Sequence, residues 1–290
     1  MAMNGQAFYF GTVGSPLSTP KKPGGSVGAI LRLVELDLDA LELGWVQAVR
    51  VTEETCALIR QTSEQNGVKI SVHAPYFINL NALDEEWPKS RKRLMDAAHY
   101  GYLAGATDIV FHPGSYFGQP AEEVLPLAVE RLAGCVQELR VQDNPVILRP
   151  ETMGKSALLG SLDDTLAMSR GVPTVRPCLD FAHLHARSGD GSMNTYEEWS
   201  RLLEAYRHAF DGRQGDQALQ ELHIHLSGIA YGPKGEKEHL RVEDADLDLR
   251  ALFRALSDFH CGGRILCESP AMEDDALILK RIWQEIAAQA

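Results

Sequence analysis

Eight short apolar, β-branched runs recur along this chain, and longer stretches of helical period separate them. The runs cover residues 7–14 (AFYFGTVG), 40–45 (ALELGW), 69–76 (KISVHAPY), 108–114 (DIVFHPG), 145–151 (PVILRPE), 176–183 (RPCLDFAH), 221–228 (ELHIHLSG) and 263–270 (GRILCESP). Helical patterning covers 52–67, 88–105, 121–140, 161–170, 195–210, 248–259 and 272–290, with a weaker stretch at 27–38. Strands that alternate with helices are joined by crossovers and pair in parallel. Eight such units predict an α/β fold, a (β/α)8 TIM barrel. A doubly wound open sheet is the competing arrangement. It is disfavoured because GTVGSP, after the first run, is not the G-x-G-x-x-G of dinucleotide-binding sheets. No Pro-, Gly- or Ser-rich linker interrupts the chain, so residues 1–290 are expected to form one barrel domain.

Local signals agree with this pattern. Thr52 stands where an N-cap belongs, with acidic residues behind it and Gly67 at the far end. Pro88 opens and Gly105 closes another helix. Ser161 with Asp164, and Thr195 with Glu198, have capping-box spacing.

The formal charge of −12 argues against a broad basic face for nucleic acid. Divalent cations in a site would invert the potential locally, whatever the sum. The five cysteines are odd in number and lack C-x-x-C spacing, so thiols are expected to be reduced. No apolar run approaches the ~18 residues of a membrane span. The start, MAMNGQAFYF, has no basic-then-apolar signal pattern. A soluble, cytoplasmic protein without membrane contact is expected.

Potential metal ligands stand at or just past the C-terminal ends of the runs. They are His73, His112, Glu151, Asp180, His183, His225 and Glu268, and His239 follows in the loop GEKEHL. A barrel gathers these ends at one mouth, where active sites form. Imidazole and carboxylate are ligands for zinc, manganese or iron, and a carboxylate can bridge two ions. A lone histidine is more often a hydrogen-bonded structural group. Eight such residues at one level are hard to explain as packing. His223 shares the face of His225 one layer deeper, as a supporting group. His185 either binds substrate or orders the mouth, outside the metal set. His99, His208 and His260 read as surface or structural residues.

The motifs HAPYFINL (73–80), FHPGS (111–115), PET (150–152), LDFAH (179–183), HLSG (225–228), GEKEHL (235–240) and CESP (267–270) resemble the endonuclease IV family, most nearly its shorter archaeal-type branch. Members are metal-dependent apurinic/apyrimidinic endonucleases built on a (β/α)8 barrel. The resemblance implies zinc at three positions. His73 and His112 would hold one ion, with Glu151 bridging to a second held by Asp180, His225 and Glu268. His183 and His239 would hold the third. It also implies that Glu151 and Glu268 are catalytic. A metal-bridging hydroxide would cleave the phosphodiester 5′ to an abasic site in duplex DNA, leaving a 3′-hydroxyl and a 5′-deoxyribose phosphate.

One position departs from the family. Its D-x-H at the third ion reads K-E-H here, with Lys237 in place of the aspartate. An ammonium group has no lone pair to offer and opposes a cation. Two tightly held zinc ions and a weaker third are expected, with Glu236 or Glu238 as substitutes if the loop shifts. Manganese is the alternative metal. By the same resemblance Tyr76, Arg50 and Lys237 are candidate DNA contacts and the protein a monomer. Lys21, Lys22, Lys155 and Lys234 are candidates for phosphate, or ordinary loop lysines. The competing function is a metal-dependent sugar isomerase or epimerase of the same barrel superfamily. Five histidines against three carboxylates favour zinc and hydrolysis. A non-catalytic DNA-binding or metal-storage protein is a third reading.

Overall fold

The computed structural model describes residues 8–210 and 213–289. Seven strands come first: β1 (Phe8–Val13), β2 (Ala40–Gly44), β3 (Lys69–His73), β4 (Asp108–Phe111), β5 (Ile147–Pro150), β6 (Cys178–Asp180) and β7 (Leu222–Leu226). A hairpin, β8 (Gly228–Gly232) and β9 (Gly235–Leu240), precedes the last strand, β10 (Gly263–Cys267). Eight strands pair in the order β5-β4-β3-β2-β1-β10-β7-β6, every pair parallel. The two edges meet in a parallel bridge between Glu151 and Cys178. Thr152 N donates to Cys178 O across the same seam at 3.0 Å. The sheet thus closes into the barrel that the alternation demands, and the seam lies at Glu151.

Helices α1 (Gly25–Glu35), α2 (Glu53–Asn66), α3 (Trp87–Leu103), α4 (Ala121–Val141), α5 (Leu162–Gly171), α6 (Phe181–Arg187), α7 (Tyr196–Ala209), α8 (Arg213–Leu219), α9 (Leu249–Asp258) and α10 (Glu273–Ala287) lie between the strands. Thr52 caps α2, and both capping boxes form, on α5 and α7. Outward strand side chains pack beneath the helices. Phe8 meets Trp283 edge-on at 4.9 Å. Helix α3 comes close because Gly101 has no side chain: a Cβ there would lie 2.7 Å from Ile109 Cδ1.

Inward side chains are unusually polar, and they are paired in layers. At the N-terminal end Asp108 accepts from Arg149 Nε at 2.7 Å and meets Arg264 Nη2 at 2.9 Å. Above them lie Glu42, Ser71, Cys178 and His223, all buried. The mouth comes next.

The structure corrects several boundaries. The expected strand 176–183 stops at Asp180, whose carboxylate accepts His183 N at 2.6 Å and starts α6. His183 therefore rides a helical turn rather than a strand end. GEKEHL is not a loop: it is β9, paired antiparallel with β8. Runs 69–76, 108–114 and 263–270 end early, at His73, Phe111 and Cys267, because Pro75, Pro113 and Pro270 cannot extend a ladder. Residues 7 and 290 of the expected elements lie outside the described residues. All five cysteines are unpaired and buried. No helix among the described residues is long and apolar enough to cross a membrane.

Candidate metal centre

The strand ends bring the eight residues together. His73 is the last residue of β3, and His112 and Glu151 directly follow β4 and β5. Asp180 ends β6, His225 lies within β7, and Glu268 follows β10. Glu151 stands in the middle, wholly buried. Its Oε2 lies 3.2 Å from both His73 Nε2 and His112 Nε2. Its Oε1 lies 3.4 Å from His225 Nδ1, which is 3.5 Å from Glu268 Oε1. Three overlapping sets have all their ligand atoms within 4.8 Å of one another. They are His73, His112 and Glu151; then Glu151, Asp180, His225 and Glu268; then Asp180, His183 and His239.

These separations fit cations. Bonds of about 2.0–2.1 Å to zinc place two ligands of a tetrahedron about 3.3 Å apart. Glu151 Oε1, Asp180 Oδ2 and His225 Nδ1 are buried with no hydrogen-bond partner among the described residues. Orphaned buried charge is costly, and a shared cation removes the cost. The tautomers agree. Ala74 O stands 2.9 Å from His73 Nδ1, Thr152 O 3.0 Å from His183 Nδ1 and Glu268 O 3.1 Å from His239 Nδ1. Each carbonyl places the proton on Nδ1 and turns the Nε2 lone pair toward the cluster.

The third set draws on the hairpin. Tyr231 of β8 pairs with Glu236 of β9 and Ala230 with Glu238, so Lys237 is the extra residue of a β-bulge. The bulge sends Glu236 inward, where its Oε2 lies 3.6 Å from His183 Nε2. The Lys237 side chain runs beside Gly232 instead. The close approach depends on Gly154, which receives Glu236 N at 2.9 Å. A Cβ on Gly154 would sit 2.7 Å from Glu236 Cβ and 3.0 Å from His183 Cδ2.

Residues 30–288 match the family described as xylose isomerase-like TIM barrel, also called AP endonuclease 2. The chain belongs to this family. It is 34% identical over 278 residues to an uncharacterized protein of Methanocaldococcus jannaschii, covering 96% of this chain and 97% of that one. It is 30% identical to Endonuclease 4 of Thermus thermophilus over 174 residues, 57% of this chain and 61% of the relative's length. The crystal structure of an endonuclease IV from Thermus thermophilus superposes with a TM-score of 0.72 at 20% identity, covering 96% of this chain and 100% of that one. A D-tagatose 3-epimerase-like protein superposes with a TM-score of 0.67 at 17% identity, covering 97% and 99%. The family is enzymatic, and its barrel serves both kinds of protein.

In this member a cavity of about 260 Å³ opens over the cluster, walled by Tyr76, Met153, Lys155, Leu158 and Glu236. Tyr76 stacks on His112 with ring centroids 4.9 Å apart and is 45% exposed, so it reaches the rim. Phe77 and Phe117, also exposed, stand on neighbouring mouth loops. Arg50 is exposed on the connection from β2 to α2. His185 is buried in α6, 3.1 Å from Asp246 Oδ1, and Asp246 also accepts from Tyr231 Oη at 2.6 Å. It ties the hairpin down, which is the ordering role. His99 and His208 are exposed on helices, and His260 follows α9.

The electrostatics are tightly coupled. Burial works to raise Glu151, but His112, His183 and His225 hold its carboxyl well below the ordinary range. Burial, reinforced by Glu151 and Glu268 and opposed by His183, pushes Asp180 up to about 6. Burial works to lower His183, yet Asp180, Glu151 and Glu236 carry it up to about 10.

Sequence reasoning missed Glu42. It lies on β2, fully buried, with Oε1 2.9 Å from His225 Nε2. The signal was present: a lone acid inside the apolar run ALELGW, on the inward phase of the strand.

Proposed function

We propose that this protein is a metal-dependent phosphodiesterase that cuts duplex DNA on the 5′ side of abasic sites, working as one barrel domain and as a monomer. The observation that carries this reading is the ligand set: five histidines and three carboxylates in three overlapping groups around Glu151. Nitrogen-rich sets favour zinc over the magnesium or manganese of carboxylate-rich sites. His73, His112 and Glu151 would hold the first zinc, and Glu151, Asp180, His225 and Glu268 the second. Asp180, His183 and His239 would hold the third, with Glu236 in place of the family's aspartate. Manganese is the alternative metal. Zinc ions, when bound, lower the pKa of water and absorb charge on phosphoryl oxygens.

The chain's own residues do the rest. Glu268 stands at the rim, 12% exposed, where it can take the proton of the attacking water. The water oxygen bonds to phosphorus as the P–O3′ bond breaks, and the departing O3′ takes a proton from solvent, leaving a 3′-hydroxyl on one side and a 5′-deoxyribose phosphate on the other. A cavity of about 260 Å³ is smaller than the ~300–1,000 Å³ of usual small-molecule pockets and suits one sugar-phosphate unit turned out of the duplex. Tyr76, with Phe77 and Phe117, supplies aromatic faces for the flanking bases. Lys155 on the cavity wall, with Arg50 and Lys237 further out, meets backbone phosphates.

The competing reading, epimerisation of a free ketose, is favoured only by the shape of the barrel. Parallel assays decide between them. Nicking of a duplex carrying one tetrahydrofuran abasic analogue, without turnover of D-tagatose or D-psicose, supports the endonuclease. Ketose turnover without nicking overturns it.

A further inference from the structure

Three imidazoles at the mouth are oriented by main-chain carbonyls, whereas His225 has a carboxylate behind it. Glu42 Oε1 approaches His225 Nε2 to 2.9 Å. The contact is bent away from the ring N–H line, so it acts through charge as much as direction. Glu42 is itself anchored. Its Oε2 accepts from Ser71 Oγ at 2.8 Å and from His223 Nε2 at 2.8 Å. Glu42, Ser71, His223 and His225 are all 0% exposed.

We propose that Glu42 is a positioning residue for metal binding. It keeps the proton of His225 on Nε2, leaving the Nδ1 lone pair facing Glu151 and Glu268, and its charge strengthens that donor. Ser71 and His223 hold the carboxylate in place. The inference rests on the metal-centre reading above.

The physical reasons are these. A neutral imidazole carries one ring proton, and an acceptor beside one nitrogen sends the lone pair to the other. A carboxylate also raises the basicity of the ring and fixes its orientation. A charged carboxylate in a barrel interior persists only if donors satisfy it. Here Ser71 from β3 and His223 from β7 donate to one oxygen, and the imidazole of His225 stands 2.9 Å from the other.

The test compares wild type with Glu42→Gln. Gln keeps the shape, but presenting its oxygen to one histidine turns its amide NH2 toward the other. Zinc retained per chain is measured against a graded chelator, alongside thermal unfolding of the metal-free proteins. His239→Ala marks loss of the outermost ion alone. The expected result is a 10–100-fold weaker hold on the inner ion in Glu42→Gln, with the His183–His239 ion kept and cooperative unfolding preserved. Retention equal to wild type overturns the proposal, as does uniform loss of every ion together with a lowered Tm. If Glu42→Gln does not fold, His223 decides. His223→Gln, which still donates to Glu42, should bind the inner ion as wild type does, and His223→Phe should bind it several-fold more weakly. Equal binding by both overturns the proposal. Wild type that binds neither zinc nor manganese overturns the metal reading itself, and this inference with it.

Discussion

His183 and His239 face each other with their Nε2 atoms 3.2 Å apart, one carried on α6 and the other on β9. Both rings have a carbonyl at Nδ1, so both present a lone pair to the same point. Two lone pairs at that distance call for a proton or a cation between them. His239→Ala is expected to remove one zinc per chain while the other two remain and the fold is unchanged. Zinc bound at equilibrium against buffered free zinc, compared with wild type, checks the count, and the same number of ions in both proteins would contradict the assignment.

The bulge at Lys237 makes a second prediction. Glu236→Gln is expected to weaken the same ion at least tenfold. Lys237→Ala is expected to leave it in place, because Lys237 runs beside Gly232 rather than into the site. Chelator competition on the two variants reads the difference, and equal behaviour would contradict it.

Gly154 lets the hairpin reach the centre. Gly154→Ala places a methyl group against Glu236 and His183. Overpacking of this kind costs about 1–3 kcal/mol. The expected signature is a modest fall in urea midpoint with a disproportionate loss of the outermost zinc.

The barrel itself was legible because its evidence is repeated: eight apolar runs fix strand number, and prolines after His73 and His112 mark where the ladder ends. Six of the eight ligand candidates were legible for the same reason, since strand ends converge; His183 and His239 were legible as ligands too, but their elements, α6 and β9, were not. What stayed hidden depended on local competition. The Asp180 side chain captures His183 N and converts the end of a run into a helix. A hairpin whose outward residues are polar looks like a loop. Glu42 was hidden because an acid inside a strand acquires meaning only through His223 and His225, 181 and 183 positions away in sequence.

At the opposite end of the barrel, Asp108 lies between Arg149 and Arg264. Burial works to raise its pKa, but the two guanidinium groups hold it far below the ordinary range. A depressed carboxylate contributes stability that is present above its unfolded pKa of about 3.9 and is lost as pH falls toward the folded value. Asp108→Asn strands buried positive charge and is expected to cost about 3–5 kcal/mol at pH 7. Urea unfolding from pH 8 to pH 3 should show that gap constant down to about pH 5 and narrowing below about pH 4. A gap that widens with acid would contradict the pairing.

The most direct test of the central claim is metal reconstitution of strand cleavage. Protein stripped with a strong chelator is titrated with zinc, and in parallel with manganese, over a duplex oligonucleotide carrying one tetrahydrofuran abasic analogue. The prediction is a single nick 5′ to the lesion with a 3′-hydroxyl end, absent in stripped protein and restored by stoichiometric metal. Glu268→Gln should be cut down by at least 100-fold in rate, with its fold intact. Failure of every metal to restore nicking, or cleavage by Glu268→Gln at the wild-type rate, would contradict the account.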